Sequence, residues 1–591
     1  MASGPRMIDA TSPFVLLDDA RAEGAKPARL YRRAVEIVET RDPGGVREAL
    51  ERLRGAGQRG LHAAGFLSYE AGYALERKLA PVRAVAPSEA PPLLWFGLFD
   101  NQEEISDVEH FLPDPASAWV SAPKPRIKQD AYEAAAARIK AHIEAGDIYQ
   151  ANLTFAAEVR TAGSPLGIYA AIRGRGRAGH GGIVFTGDHW LLSFSPELFF
   201  TVERGHVTTR PMKGTAVRGA DDEAAVEALR SDPKQRAENL MIVDLLRNDL
   251  SKVSRPGTVK APSLFEVETY PTVHQMTSTV TAQLEEGVDA VAVIEAIFPC
   301  GSITGAPKIR AMEILAEIED HRRGAYTGSI GSLSPGGNAA FNVAIRTLVM
   351  QAGSAHAVLG LGSGIVADSE AGEEWRECLA KGAFVAGPAS GFDLIETMRF
   401  DPHEGVLELE RHLARMKASA QELGFDFDRH AARNDLQAAT FRLREPRKIR
   451  LLVSRAGTVS LEGRALPEPF SEPVQVAVAP LPVPSDDYRL RHKTTDRSFY
   501  DEARARSGRA EVLFEDEGGF LTEGSFTHIF VERGGMLLTP PLSRGLLPGI
   551  LRARLIEEGE AKEVDLTPTD LAAGFYIGNV VRGLMRAVLC Q

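Results

Sequence analysis

The sequence predicts a multidomain protein of mixed class, α/β and α+β, with two domains joined by a short linker. Three observations carry this. A chain of 591 residues is longer than one hydrophobic core usually serves. Stretches of strand character alternate with stretches of helical spacing up to about residue 385. The composition then breaks at AGPASG (386–391), which is small, uncharged and flexible, before the alternation restarts. The predicted division is therefore 1–385, a linker over 386–391, and 392–591.

Taken in order, SPFVLLDD (12–19) reads as a short strand entering a turn, and residues 29–55 carry helical patterning with exposed charges. LHAAGFLSYEAGY (61–73) reads as a strand and a turn, PLLWFGLFD (92–100) as a buried strand, and 111–125 as a Pro-rich loop. YEAAAARIKAHIEAGD (132–147) has helical spacing with Gly146 as its stop. After the linker, GFDLIETMRF (391–400), KIRLLVSRAG (448–457) and VQVAVAP (474–480) read as strands, and ELERHLARMKASAQELGF (408–425) as a helix ending in Gly424. LPVPSDDY (481–488) reads as a Pro-rich crossover into a second subdomain.

Bulk composition excludes some classes. Hydrophobic content of 44% and charged content of 25% are those of an ordinary globular protein. A net charge of −12 argues against a nucleic-acid binder and against an anionic membrane surface as partner. No run of about 18 apolar residues is present, so no membrane span is expected, and the N-terminal stretch lacks the pattern of a secretory signal. Cys300, Cys378 and Cys590 have no metal-ligand spacing and make a poor disulfide framework, which fits a cytoplasmic protein.

The candidate chemistry centres on Thr209–Leu250. RAENLMIVDLLRNDL reads as one amphipathic helix, with Leu240, Met241, Ile242, Val243, Leu245, Leu246 and Leu250 as its apolar positions. Glu238 projects along that stripe, where a carboxylate is costly unless a cation or hydrogen bond meets it; a residue favoured by the helix dipole is the plain alternative. Lys213 is expected in a short loop between Pro211 and Gly214, where a solvated turn lysine is the plain reading. In EEWREC, Glu374 and Glu377 share a helix face, and Lys381 lies one turn beyond Glu377. Two carboxylates from separate helices can hold one Mg²⁺; a salt-bridged solvent face is the alternative. GLGSGIVADS (360–369) has G-x-G-x-G rather than G-x-G-x-x-G, which rejects a dinucleotide site, while its glycines let backbone amides approach an anion.

FPCGSITGAPKIRAME (298–313), GLGSGIVADSEAGEEWRECLAK (360–381), PMKGT and AENLMIVDLLRNDL together resemble the signature blocks of the chorismate-utilising enzymes. PMKGT is most similar to aminodeoxychorismate synthase component I, and the resemblance runs over roughly 8–385. It implies a large domain with a two-sheet sandwich core and helices outside. It implies Mg²⁺ held by Glu238 and Glu377 with Glu374 close by. The substrate, chorismate, would meet Gly362, Gly364, Arg346, Lys381, Thr304 and His274. Family members with Ala in place of Lys213 make anthranilate, and those with Lys make 4-amino-4-deoxychorismate. The implied mechanism has Lys213 attack ring C2, Glu197 of SPELFF act as general acid on the C4 hydroxyl, and ammonia displace the lysine. No cysteine sits in a glutaminase-type elbow, so a separate glutamine amidotransferase subunit is the expected ammonia source.

Beyond residue 391, ERHLARMKAS (410–419), RHKTTDRSFYDEAR (491–504) and the stretch 521–555 resemble the two-subdomain fold-type IV enzymes that use pyridoxal phosphate. Lys493 matches their Schiff-base lysine, Glu523 the partner of the pyridine nitrogen and Arg415 the phosphate-binding arginine. Gly549 and Ile550 open a helix whose N-terminus suits the phosphate. KTTDR, Asn579 and Arg582 look most like aminodeoxychorismate lyase; a fold-type IV aminotransferase is the alternative, as an anthranilate or isochorismate synthase is for the first half. His528 stands where Asn is common and Leu551 where a phosphate-binding Thr is common. The family is commonly dimeric through this domain, which implies a homodimer. The combined implication is a bifunctional enzyme that takes chorismate and ammonia to 4-aminobenzoate and pyruvate for folate biosynthesis.

Overall fold

The computed structural model describes residues 10–82, 84–218, 221–269, 273–386 and 391–590. The predicted linker falls, in residues 387–390, outside the described residues. The chain divides into two compact units. One comprises Met1–Leu112, Ala122–Val159 and Tyr169–Gly387; the other comprises Pro113–Ser121, Arg160–Ile168 and Pro388–Gln591.

The first unit is built on two large, mostly antiparallel sheets. One runs through Gly305–Ala306, Gln150–Ala162, His356–Ile365, Thr347–Gln351, His189–Ser193, Gly181–Phe185, Phe14–Asp18, Ala28–Arg32 and Glu103–Ile105. The other runs from Met212–Val217 through Val273–Gln283 and His206–Arg210 to His62–Leu67, Leu94–Phe99 and Glu36–Thr40. Strand alternation explains why the central strands are apolar throughout. In His62–Leu67, Ala64 and Phe66 pack with Trp95 against Val15, Tyr31, Val184 and Leu191 of the opposing sheet. Ala63 and Leu67, with Leu94, Phe96 and Leu98, point the other way into a core shared with helices Val46–Gln58 and Ala290–Ile297.

Two sequence expectations are corrected here. Residues 29–55 are not one helical stretch: Ala28–Arg32 and Glu36–Thr40 are strands, and the helix is confined to Val46–Gln58. The arginines and glutamates mimic an amphipathic face, but the β-branched run Val35, Ile37, Val38 pairs with Leu94–Phe99. Lys213 is also not in a loop; it lies in strand Met212–Val217, paired with Val273–Gln283.

Most helix ends agree with their sequence punctuation. The helix predicted over 132–147 spans Gln129–Glu144, with Gly146 at φ +79° beyond it. The amphipathic helix spans Pro233–Ser251, with Asp232 capping two backbone amides and Pro at its first turn. Its buried face carries Ile242, Val243, Leu246 and Leu250 together with Asn239 and Asp249, while Leu240 is turned outward.

The second unit has two sheets. A four-stranded sheet, Gly405–Val406, Leu394–Asp401, Arg447–Val453 and Val459–Ala465, packs on helices Leu409–Leu423 and Arg429–Thr440 through Met398, Leu413, Met416, Leu436, Ile449 and Leu451. An eight-stranded sheet carries the remainder; Gly583–Leu589 and Phe575–Asn579 are at its centre, and Val474–Pro480 and Glu511–Glu515 are parallel neighbours toward one edge. No described helix is long and apolar enough to cross a membrane.

Candidate active sites

Each unit holds a cavity that collects its own set of sequence-nominated residues. In the first unit, Glu197, Lys213, Glu238, Arg346, Gly362, Gly364, Glu374, Glu377 and Lys381 line one cavity of about 350 Å³. They arrive from six segments: the turn before strand Leu198–Glu203, strand Met212–Val217, helix Pro233–Ser251, the turn ahead of Thr347, strand His356–Ile365, and helix Ala371–Gly382. Lys213 Nζ lies 3.2 Å from Glu238 Oε2, which supplies the cation that the sequence asked for on the apolar stripe. A Cβ on Gly364 would come within 2.9 Å of Lys213 Nζ, so the glycine makes room for the amine.

Glu197 is buried, and burial pushes its carboxyl up to about 7, against the hydrogen bond from Ser302 Oγ to Oε1 at 2.7 Å and the charge of Lys213 and Lys381. A carboxyl in that range can hold and release a proton near neutrality. Lys381 Nζ lies 2.7 Å from Glu377 and donates to the Gly362 carbonyl at 3.1 Å, tying the glycine-rich strand to the carboxylate helix. Burial acts to raise the Glu377 pKa, but Lys381 and Lys213 together hold it below the ordinary value. Glu374 accepts from Ser369 Oγ at 2.7 Å. The Arg346 guanidinium lies 5.8 Å from the centre of the Phe384 ring.

Thr304 and His274 do not line this cavity. Thr304 is buried and donates to the Cys300 carbonyl at 2.8 Å. His274 is buried beside Thr269 Oγ1 at 3.0 Å, with Asp222 at 3.2 Å from its Nε2. Ser302, which lines the cavity and touches Glu197, escaped the sequence reading although it lies inside the quoted GSITGAPK block; a serine there carries no spacing signal of its own.

Among the described residues, no three His, Cys, Asp or Glu groups are already gathered as a metal site. The donor chemistry nonetheless fits a hard divalent cation: Glu238 from one helix and Glu374 and Glu377 from another are all oxygen donors lining one cavity, engaged by Lys213, Ser369 and Lys381.

The second unit's cavity, of about 420 Å³, is lined by Arg415, Lys493, His528, Gly549, Ile550, Leu551, Asn579 and Arg582 among others. Lys493 is desolvated there, and with Arg497 and Arg415 nearby its ammonium pKa is held well below the usual value. Arg415 donates from Nε and Nη2 to the two oxygens of buried Glu396 at 2.8 and 2.6 Å, and from Nη1 to the Pro548 carbonyl at 2.9 Å. Glu396 also meets His412 Nδ1 at 2.6 Å. Despite its burial, Arg415 and the hydrogen bond with His412 hold its pKa down to about 2. Glu523 is buried, which raises its carboxyl to about 7 against hydrogen bonds from Tyr500 Oη at 2.6 Å and the Leu547 amide at 3.2 Å.

His528 is neutral, its pKa lowered to about 3 by burial and by Arg552. Its ring occupies the space that a Cβ on residue 549 would fill, so Gly549 is what admits a histidine here. Helix Ile550–Glu557 begins at that glycine, and Leu551 is buried. Asn579 caps the backbone amides of Val581 and Arg582, each at 3.0 Å. His412 lines the cavity with its Nε2 buried and without a hydrogen-bond partner. An orphaned imidazole nitrogen, a half-buried arginine, a helix N-terminus and a desolvated amine form a donor set that fits a phosphorylated aromatic aldehyde. Glu396, Tyr500 and His412 were not singled out from the sequence, because their roles depend on neighbours from other elements.

The fold of each unit, with a polar cavity in each, is that of an enzyme. The chain belongs to the chorismate binding enzyme family, whose profile matches residues 15–387, and the profile of amino-transferase class IV matches residues 393–590. It is 38% identical over 342 residues to aminodeoxychorismate synthase component 1 of Klebsiella aerogenes, covering 54% of this chain and 75% of that protein. It is 40% identical over 299 residues to 2-amino-4-deoxychorismate synthase of Streptomyces globisporus, covering 49% of this chain and 59% of that one. The crystal structure of anthranilate synthase component I from Streptococcus pneumoniae TIGR4 superposes with a TM-score of 0.53 at 25% identity, covering 62% of this chain and 93% of that one.

Proposed function

We propose that the chain is a bifunctional enzyme that aminates chorismate to 4-amino-4-deoxychorismate in its first unit and eliminates pyruvate from that product in its second, leaving 4-aminobenzoate for folate biosynthesis. The observation that carries the first half is Lys213 Nζ standing in one cavity with Glu238 at 3.2 Å and with a buried Glu197 whose carboxyl is raised to about 7. An anthranilate synthase would not need an amine at that position.

In this reading the Lys213 amine, once deprotonated, adds to ring C2 of chorismate. Glu197 gives its proton to the departing C4 hydroxyl, which leaves as water. Ammonia then bonds to C4, the bond from C2 to Lys213 breaks, and the lysine is returned. Arg346 pairs with a substrate carboxylate, and Gly362 and Gly364 keep the wall flat where the ring lies. Glu238 and Glu377, with Glu374, would hold Mg²⁺, which supplies charge stabilisation for the substrate's ring carboxylate. A separate glutamine amidotransferase subunit supplies the ammonia.

In the second unit, pyridoxal phosphate supplies an electron sink at the substrate's amino-bearing carbon. Arg415, the Gly549–Ile550 amides and His412 hold the phosphate end. Glu523 pairs with the ring nitrogen. Lys493, its ammonium pKa pushed down by desolvation, would attach the group and move the proton. The same synthase fused to an aminotransferase is the competing reading. Purified protein is mixed with chorismate, Mg²⁺, pyridoxal phosphate and ammonium, and the products are separated. 4-Aminobenzoate with equimolar pyruvate is expected; accumulated aminodeoxychorismate rejects the lyase, and anthranilate rejects the role of Lys213.

A further inference from the structure

The second unit's cavity carries more positive charge than its cofactor needs. Arg415, Lys448, Lys493, Arg504 and Arg582 all line it, and among the described residues no carboxylate does. Three of the five cations are accounted for. Arg415 is matched by Glu396, Arg504 donates to Asp501 at 2.8 Å, and Lys493 is buried, which holds its ammonium pKa well below the usual value. Lys448 and Arg582 remain, and neither makes an ion pair among the described residues. Arg582 donates only to the Glu468 carbonyl, at 2.8 Å, and lies 4.2 Å from the centre of the Phe470 ring.

The small sheet keeps its share of this charge at a cost. In the register of its strands, Lys448 is directly opposite Arg399 on one side and Arg464 on the other. Like charges directly opposite on one face destabilise a sheet. Arg399 Nε is buried without a hydrogen-bond partner. The face that bears this row is the one that presents Thr397 and Lys448 to the cavity, while Met398, Ile449 and Leu451 fill the core on the other. Arg464, at the outer end of the row, is exposed and pairs with Glu462 at 3.2 Å, so Lys448 is the cation of this face that reaches the cavity, where an anion would meet it.

We propose that Lys448 and Arg582 are the specificity-determining cations of this site, each taking one carboxylate of a ring-shaped substrate that carries two. Phe470 and Phe526 also line the cavity, their ring centres 6.4 Å apart, and offer apolar surface to the ring between the charges. An amino acid with a single carboxylate leaves one of the two cations unmatched in a desolvated pocket, so it is selected against. This inference rests on the reading that the second unit binds pyridoxal phosphate and acts on the first unit's product.

The test uses the full chain loaded with pyridoxal phosphate and reads the visible absorbance of the bound cofactor, which reports on this cavity alone. Two unreactive probes are titrated: 3-(carboxymethoxy)benzoate, a ring with two carboxylates, and benzoate, with one. The wild-type protein is expected to bind the dicarboxylate more tightly. Lys448→Gln and Arg582→Gln are each expected to weaken the dicarboxylate about tenfold, and the double variant to bring it to the level of benzoate. Arg582→Lys is expected to recover part of the loss. An unchanged ratio of the two affinities in the variants overturns the proposal. So does a variant that loses cofactor absorbance, since that assigns its cation to the cofactor phosphate. A dicarboxylate preference that needs both cations, in a protein that releases no pyruvate from aminodeoxychorismate, supports the clamp and rejects the lyase reading.

Discussion

Ser302 Oγ donates a 2.7 Å hydrogen bond to Oε1 of Glu197, the buried carboxyl at the centre of the first cavity. This bond favours the ionised form and so works against burial, which raises the group to about 7. As a general acid Glu197 acts only while protonated, so the amination rate is expected to fall as pH rises through about 7. Ser302→Ala removes the opposing bond and is expected to move that alkaline limb upward. Glu197→Gln is expected to lower kcat by about 10²–10⁴-fold at all pH values. An alkaline limb that stays put in Ser302→Ala rejects Glu197 as the acid. The folded-state pKa lies above the unfolded one, so wild-type stability declines from about pH 4.5 to about 7 through this group; Glu197→Gln flattens the dependence of Tm on pH over that window.

Lys213 is expected to be needed as an amine and not as a charge. Lys213→Arg keeps a cation to face Glu238 but cannot be deprotonated. Formation of 4-amino-4-deoxychorismate is expected to drop by at least about 10²-fold in this variant, as in Lys213→Ala. Intact-mass spectrometry of protein treated with chorismate in the absence of ammonium checks the reason: an adduct on the wild type and none on Lys213→Arg. Equal adducts on both proteins would sink the covalent step.

Glu396 pairs with half-buried Arg415 and buried His412, and among the described residues neither makes an ion pair with any other carboxylate. Glu396→Gln is expected to cost about 3 kcal/mol of the second unit's stability, the usual price of a buried charge left unmatched. Its folded pKa is depressed to about 2, so its contribution is full above the unfolded value and is lost as pH falls toward 2. Acid unfolding followed by differential scanning calorimetry should show the variant's second-unit transition lowered at pH 7 and less dependent on pH below about 4.5.

Tyr500 Oη donates to Glu523 Oε1 at 2.6 Å and holds that carboxyl nearer to ionisation than burial alone would. Glu523 must be ionised to keep a pyridine nitrogen protonated. Tyr500→Phe is expected to raise the Glu523 pKa further. Pyruvate release from added aminodeoxychorismate is expected to fall about three- to tenfold at pH 7 and to recover at higher pH. Amination in the first unit serves as the internal control and is expected to be unchanged.

How much of this was legible in the sequence follows from the kind of signal each feature leaves. Stops are local, so Gly146 and Gly424 mark their helix ends in the sequence as they do in the structure. The blocks around Lys213, Glu197, Glu377 and Lys493 are contiguous and could be read as blocks. Residues 29–55 were misread because charged side chains at helical spacing also suit two half-buried strands, and the choice belonged to the partner strands Phe14–Asp18 and Leu94–Phe99.

The sequence by itself determined the class of the two units, their order, and which residue types were available for chemistry, because these depend on composition, periodicity and short-range spacing. Only the tertiary structure decided which of those residues meet. It paired Lys213 with Glu238 across a strand and a helix, set Ser302 on Glu197, and left Thr304 and His274 outside the first cavity's lining. It also left Lys448 and Arg582 without an ion pair among the described residues while giving one to Arg415. The physical reason is that burial and charge pairing are properties of neighbours brought together from distant parts of the chain, and no local pattern records them.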